Sequence, residues 1–156
     1  MPKDTTELPI LLIEDEQTDS LLIQRAFEKA GVQNPIQIVT DGDNALARLE
    51  GIGQYQDRAQ YPLPAFILLD LKLPGMHGLA LLRWIRSKKE LRLIPVVVLT
   101  NSADASDVKA AYEAGANSYL LKPANRDEIY RVIEVIQNYW LEHNLAPSLV
   151  LRASST

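Results

Sequence analysis

Four short stretches of the chain are apolar almost without interruption: Leu8-Pro9-Ile10-Leu11-Leu12-Ile13, Phe66-Ile67-Leu68-Leu69, Ile94-Pro95-Val96-Val97-Val98-Leu99 and Ser118-Tyr119-Leu120-Leu121. A strand with one wet face alternates apolar and polar positions, whereas a strand covered on both faces does not. These runs therefore predict strands of a parallel sheet clad in helices on both sides. A fifth stretch, Ile36-Gln37-Ile38-Val39-Thr40, alternates in part and suits an edge strand. Helical patterns with recognisable ends lie between them. Asp19 is placed to cap residues 20–30, which stop at Gly31, and Asp43 or Asn44 to cap 45–50, which stop at Gly51. Residues 79–89 carry Leu79, Leu82 and Ile85 at helical spacing, with Lys88 and Lys89 in the predicted last turn, where cations suit the macrodipole. Asp104 can cap a helix through Tyr112, ended by Gly115. Asn125 can start the longest helix, with an apolar stripe of Ile129, Val132, Ile133, Ile136 and Trp140.

Strand and helix thus alternate five times, which predicts an α/β fold: a doubly wound, five-stranded parallel sheet with five helices and right-handed crossovers. Two segments stand outside the alternation. Residues 52–64 form a connection about twice the typical loop length. Residues 144–156 form a tail containing Leu145, Leu149, Val150 and Leu151, free to fray, to dock or to support a dimer. A domain of residues 1–143 followed by this tail is the expected organisation.

Composition narrows the chemistry. The 156 residues include 16 Lys+Arg against 20 Asp+Glu, a formal charge of −4, the wrong sign for a general nucleic-acid binder. Cysteine is absent, which excludes disulfides, zinc–cysteine sites and thiol nucleophiles and fits a reducing compartment. No apolar run approaches the ~18 residues of a membrane span, and residues 1–7 lack the apolar core of a signal peptide, so a cytoplasmic protein is expected.

The polar residues that follow each apolar run are the informative ones. The first strand ends in Glu14-Asp15-Glu16, the third in Asp70, the fourth in Thr100-Asn101 and the fifth in Lys122-Pro123. In an open parallel sheet all strand C-termini share one edge, where ligand sites form. Three carboxylates brought together there repel one another unless a cation is present. A hard divalent ion such as Mg²⁺ meets that need. Lys122 is a compact positive charge able to pair with a carboxylate or a phosphoryl oxygen, and Thr100 adds a hydroxyl donor. An oxygen nucleophile, a dication, a lysine and a hydroxyl together suit phosphoryl transfer. Singly, each of these residues is equally well a helix cap, a turn acid or a solvated lysine; the joint placement carries the reading.

The same residues resemble the receiver domain of two-component response regulators, the family of the single-domain chemotaxis regulator. Glu14-Asp15 stands at the acidic pair, Asp70 at the phosphoacceptor, Thr100 at the switch hydroxyl thirty positions on and Lys122 at the lysine a further twenty-two on. Pro74 and Gly78 match the loop after the acceptor, Tyr119 the aromatic switch position, and Lys122-Pro123 the family's Lys-Pro, whose peptide bond is usually cis. The resemblance covers about residues 8–143. It implies a flavodoxin-like fold with strand order 2-1-3-4-5. It also implies that Asp70 accepts a phosphoryl group from a sensor histidine kinase, and that Mg²⁺ or Mn²⁺ is held by Asp15, Asp70 and the Lys72 backbone carbonyl with help from Glu14. Thr100 and Tyr119 then rearrange and change partner affinity. The long connection, Thr100-Asn101-Ser102 and the extended final helix are similar to stand-alone receivers paired with phytochrome-type kinases, relatives that tend to be homodimers. Glu-Asp in place of Asp-Asp, Lys72 two after the acceptor, and Asn101 after the threonine are departures that bear on phosphate lifetime.

Competing readings fit less well. A haloacid-dehalogenase-type phosphatase expects a second Asp two residues after the first, where Lys72 stands. A nucleotide-binding fold wants a Gly-rich turn after the first strand, where Glu14-Asp15-Glu16-Gln17 would repel phosphate. A receiver-fold interaction or dimerisation module working without phosphorylation is the remaining alternative. His77 and His143 read as surface residues, and Arg83, Arg86, Lys88, Lys89 and Arg92 mostly as a solvated helix face. The thirteen residues after 143 leave no space for a DNA-binding output domain, so output is expected through protein contacts.

Overall fold

A computed structural model describes residues 8–145; of the apolar tail residues Leu145 is described and exposed, while the expectations placed on Leu149, Val150 and Leu151 lie outside the described residues. Five strands form one parallel sheet: β1 (Ile10–Ile13), β2 (Ile36–Val39), β3 (Phe66–Leu69), β4 (Val96–Thr100) and β5 (Ser118–Leu121), in the order β2-β1-β3-β4-β5. Five helices alternate with them: α1 (Gln17–Lys29), α2 (Gly42–Glu50), α3 (Gly78–Ser87), α4 (Ala105–Ala114) and α5 (Arg126–Ile136), the last continuing as a π-helical segment over Gln137–His143. The doubly wound sheet and its order are those expected.

The continuity of the apolar runs has a direct cause. Alternate residues of one strand enter different cores. Leu11, Ile13, Ile67, Leu69 and Val96 pack with Leu49, Leu81, Leu82 and Ile85 from α2 and α3. Ile10, Leu12, Phe66, Leu68, Val97 and Leu99 pack on the other face with Ile23, Phe27, Ile129, Ile133 and Ile136 from α1 and α5. A polar residue on either face of these strands would be buried without a partner. β5 departs from its apolar sequence: it is the second edge, and Leu121 is 48% exposed.

Helix ends correct several sequence expectations. α1 begins at Gln17, so Asp19 lies in its first turn and does not cap it. Its side chain points instead to Lys122. α2 begins at Gly42 and is capped by Asp41, whose carboxylate accepts from Asn44 N at 2.7 Å. α3 ends at Ser87, which leaves Lys88 and Lys89 beyond its last turn, and His77 caps it by accepting from Leu79 N through Nδ1 at 3.1 Å. The caps at Asp104 and Asn125 are as expected.

Two arginines, Arg48 and Arg58, are structural. Arg48 is fully buried, donating to Gln37 Oε1 at 2.5 and 2.9 Å, to Pro62 O at 2.7 Å and to Tyr61 O at 3.3 Å. Arg58 donates to Leu49 O at 2.6 Å and to the carbonyls of Arg48 and Tyr61 at 3.2 Å. Both fasten the long connection between α2 and β3 onto the fold. Arg86 similarly ties α3 to Gly115 O, Arg92 O, Ile94 O and Asn117 Oδ1 at 2.7–2.9 Å. Arg48→Leu removes the donors to Gln37 Oε1 and Pro62 O, while Tyr61 O keeps its bond from Arg58, and lowers stability in urea unfolding by about 3 kcal/mol; a change below ~1 kcal/mol would contradict this role for the guanidinium.

Candidate functional site

The β1–α1, β3–α3, β4–α4 and β5–α5 turns all emerge at the C-terminal edge of the sheet, on the central strands and their neighbour. Glu14 and Asp15 follow β1 directly, Asp70 follows β3, Thr100 closes β4, and Lys122 follows β5. Ligand oxygens of Glu14, Asp15 and Asp70 lie within 4.8 Å of one another. Glu14 and Asp70 are buried, while Asp15 faces solvent. Lys122 Nζ sits among them. It donates to Glu14 Oε1 in a very short contact, to Asp70 Oδ2 at 2.8 Å and to Asp19 Oδ2 at 3.1 Å. Residues separated by more than a hundred positions thus form one cluster, as the strand-end pattern predicts.

Burial and charge divide the acids. Burial pushes the Glu14 carboxyl up to about 8, against the attraction of Lys122, and the neighbouring Asp70 adds to the rise. Burial acts on Asp70 in the same sense, but the bond from Lys122, together with those involving Glu14 and the Lys72 backbone N–H, outweighs it and holds Asp70 below its ordinary value. That N–H donates to Asp70 Oδ1 at 3.3 Å. The Lys122 ammonium, though buried, is held above its ordinary value by Asp70 and Glu14. The two shifts are opposite in direction, so of this buried pair Glu14 is the carboxyl that favours its proton and Asp70 the one that favours its charge. An all-oxygen set of three carboxylates with one side open to water is what a hard dication takes, and its charge offsets the repulsion that keeps Glu14 protonated. The residues fit Mg²⁺ or Mn²⁺.

The neighbouring positions shape the cleft. Thr100 is fully buried, and its Oγ1 has no hydrogen-bond partner among the described residues. A buried hydroxyl without a partner costs about 1–3 kcal/mol, so it is poised to accept or donate to a group that enters the cleft. Tyr119 packs against Leu71, Val98 and Ala111 and donates its hydroxyl to Ser102 O at 2.7 Å, fastening β5 to the β4–α4 turn. Ser102 in turn donates to Asp107 Oδ2 at 2.6 Å, which links that turn to the first turn of α4.

Gly78 donates to Leu71 O at 2.9 Å, and a Cβ there would stand 2.7 Å from both Asp70 O and Leu71 Cα. The loop after Asp70 can fold this closely over it only with glycine. Pro74 O accepts from Gly42 N at 3.4 Å, which joins that loop to the start of α2. Pro123 follows Lys122 at the head of the β5–α5 turn. The cis bond expected before it is not found, because the described residues contain no cis peptide; trans is the favoured isomer for X-Pro by about 0.5–1 kcal/mol.

Sequence reasoning missed Asp19, which stands four residues after Asp15 and was assigned to a cap. Its position on the first turn of the helix that follows the acidic pair was the available signal.

A model of the response regulator receiver domain matches residues 10–134. The chain belongs to this family. As a receiver it is a phosphoacceptor signalling protein of two-component systems, and receivers bind Mg²⁺ or Mn²⁺. Among its relatives are the probable methanogenesis regulatory protein FilR2 of Methanothrix harundinacea, 42% identical over 141 residues covering 88% of this chain and 86% of that protein, and response regulator Rcp1 of Synechocystis, 38% identical over 139 residues covering 89% and 92%. The receiver is also similar in structure to the phosphorylated cyanobacterial phytochrome response regulator RcpA, with a TM-score of 0.86 and 35% identity over 91% of this chain and 99% of that one. The Mn²⁺-bound form of Rcp1 gives a TM-score of 0.83 and 38% identity over 90% and 99%.

Proposed function

We propose that Asp70 is the phosphoacceptor of this receiver and that its donor is a phosphohistidine on a phytochrome-type sensor kinase. A carboxylate oxygen of Asp70 attacks phosphorus, the P–N bond to the donor imidazole breaks, and the imidazole leaves as a neutral ring after taking a proton. Asp15, Asp70 and the Lys72 carbonyl would hold the Mg²⁺ or Mn²⁺, with Glu14 assisting through water. When bound, the ion neutralises charge on the phosphoryl oxygens.

The chain's own residues do the rest. The Lys72 N–H and Lys122 keep Asp70 ionised and aimed, and Lys122 then donates to a phosphoryl oxygen. Thr100 turns its unpartnered hydroxyl to the same group. That movement vacates space into which Tyr119 turns, releasing Ser102 and changing the face of α4, β5 and α5 toward partners. This is a two-state element biased by a local charge event. Slow autodephosphorylation, tuned by Lys72 and Asn101, resets it. The phytochrome link rests on the likeness of this chain to the cyanobacterial phytochrome response regulator RcpA. Exposed Leu121, Val135 and Tyr139 on β5 and around α5 support a homodimer, and the whole chain is read as cytoplasmic.

The observation that carries the reading is the meeting of Glu14, Asp15 and Asp70, with the Lys122 ammonium bonded to Glu14 and Asp70. Incubation with a small-molecule phosphodonor and Mg²⁺ adds one phosphoryl group to the intact protein by mass spectrometry, and Asp70→Asn adds none. Equal phosphorylation of that variant would refute the assignment.

A further inference from the structure

Asp19 is the one carboxylate on Lys122 that stands apart from the cation cluster. Its Oδ2 accepts from Nζ at 3.1 Å, and its side chain is 28% exposed, against 1% for Glu14 and 8% for Asp70. It belongs to the first turn of α1, whereas Lys122 heads the β5–α5 turn, so this ion pair spans the mouth of the cleft.

A lysine ammonium has three N–H donors. In this structure all three are spent, on Glu14, Asp70 and Asp19. A phosphoryl group seated on Asp70 needs at least one of them. A dication held by the cation cluster would offset the negative charge of Glu14, Asp15 and Asp70 and so weaken their hold on the lysine, while Asp19, outside the cluster, would keep its bond to Nζ.

Resting on the assignment of Asp70 as phosphoacceptor, we propose that Asp19 is a positioning residue that restrains Lys122: it holds the ammonium toward α1 and competes with the phosphoryl group for it. Asp19 therefore keeps the lysine seated in the resting cleft and limits how firmly the phosphorylated state is gripped.

Beryllofluoride, a non-covalent stand-in for the phosphoryl group, tests this by calorimetric titration of the full chain at saturating Mg²⁺. Asp19→Asn keeps the shape and removes the charge, and it should tighten beryllofluoride binding about fivefold, within the range of a partly exposed ion pair. Asp19→Glu, which restores the charge on a longer arm, should return the affinity to within about twofold of the parent. In a Lys122→Met background the gain from Asp19→Asn should vanish, because the effect runs through the lysine; a double-mutant cycle isolates that coupling. As a second readout, Lys122 ammonium protons followed by NMR should exchange with water faster in Asp19→Asn. A parent that binds beryllofluoride while Asp19→Asn binds equally or more weakly overturns the proposal, as does an equal gain in the Lys122→Met background. A parent that fails to bind it, or an Asp70→Asn variant that still does, overturns the phosphoacceptor reading and this proposal with it.

Discussion

Between pH 5 and pH 8, in the absence of divalent cation, the protein loses about 3–4 kcal/mol of stability, and saturating Mg²⁺ removes most of that slope. The cause is Glu14, whose burial lifts its carboxyl from 4.5 to about 8. Between those values the folded state holds a proton that the unfolded state has released, so unfolding becomes easier as pH rises and levels off above about 8. The other two shifted groups of the cluster act outside this window. Asp70 is shifted downward, so its contribution is lost only as pH falls below the ordinary carboxylate range. Lys122 is shifted upward, so its contribution is lost only at strongly alkaline pH. A dication held beside Glu14 would favour its ionised form, so its binding should release a proton below pH 8 and tighten as pH rises. Urea unfolding at several pH values with and without Mg²⁺ measures the slope, and calorimetry in two buffers of different ionisation enthalpy counts the proton. A flat profile without cation would contradict the upward shift that burial imposes on the Glu14 carboxyl.

Lys122→Met removes the positive charge shared by Glu14, Asp70 and Asp19. Breaking a buried ion pair from one side costs about 3–5 kcal/mol, because the partners remain buried without compensation. The loss should be largest above pH 8, where Glu14 has ionised, and smaller at pH 5, where its proton relieves the repulsion. Phosphoryl uptake from a small donor should fall at least about tenfold, as one charge-assisted bond in the transition state is worth more than 1.4 kcal/mol. Chemical unfolding and the rate of phosphorylation by intact mass provide the two measurements. Unchanged stability at pH 9 would mean that the ammonium is not what holds the acids together.

The sheet was legible because its strands are covered on both sides: Ile10–Ile13, Phe66–Leu69 and Val96–Thr100 divide their side chains between two cores and so cannot alternate. β5 reads the same way yet is an edge, since Tyr119 and Leu120 pack inward while Leu121 stays half exposed. The site was legible at Glu14, Asp15, Asp70, Thr100 and Lys122 because a parallel sheet delivers every strand end to one rim.

Other features depend on three-dimensional neighbours that no local pattern reveals. Arg48 sits among helix positions that could face water, and Gln37 of β2 together with the carbonyls of the folded 52–64 connection makes it internal. Arg86 belongs to a run of cations and is distinguished by Gly115, Ile94 and Asn117, which reach it from other elements. In sequence Asp19 reads as a cap, because Asp at a helix start usually is one. Its true partner lies 103 positions away. The peptide before Pro123 is a case where family habit and this structure differ.

The most direct test of the account is the position of the phosphoryl group. Transfer from a phosphorylated phytochrome-type kinase in Mg²⁺, followed by borohydride reduction, converts an aspartyl phosphate to homoserine at the modified residue. Peptide mapping should then find homoserine at position 70 alone, and none when the cation is chelated. Modification of another acid, or phosphate retained on His77 or His143 with Asp70 unchanged, would contradict the assignment of the cluster as the phosphoacceptor site.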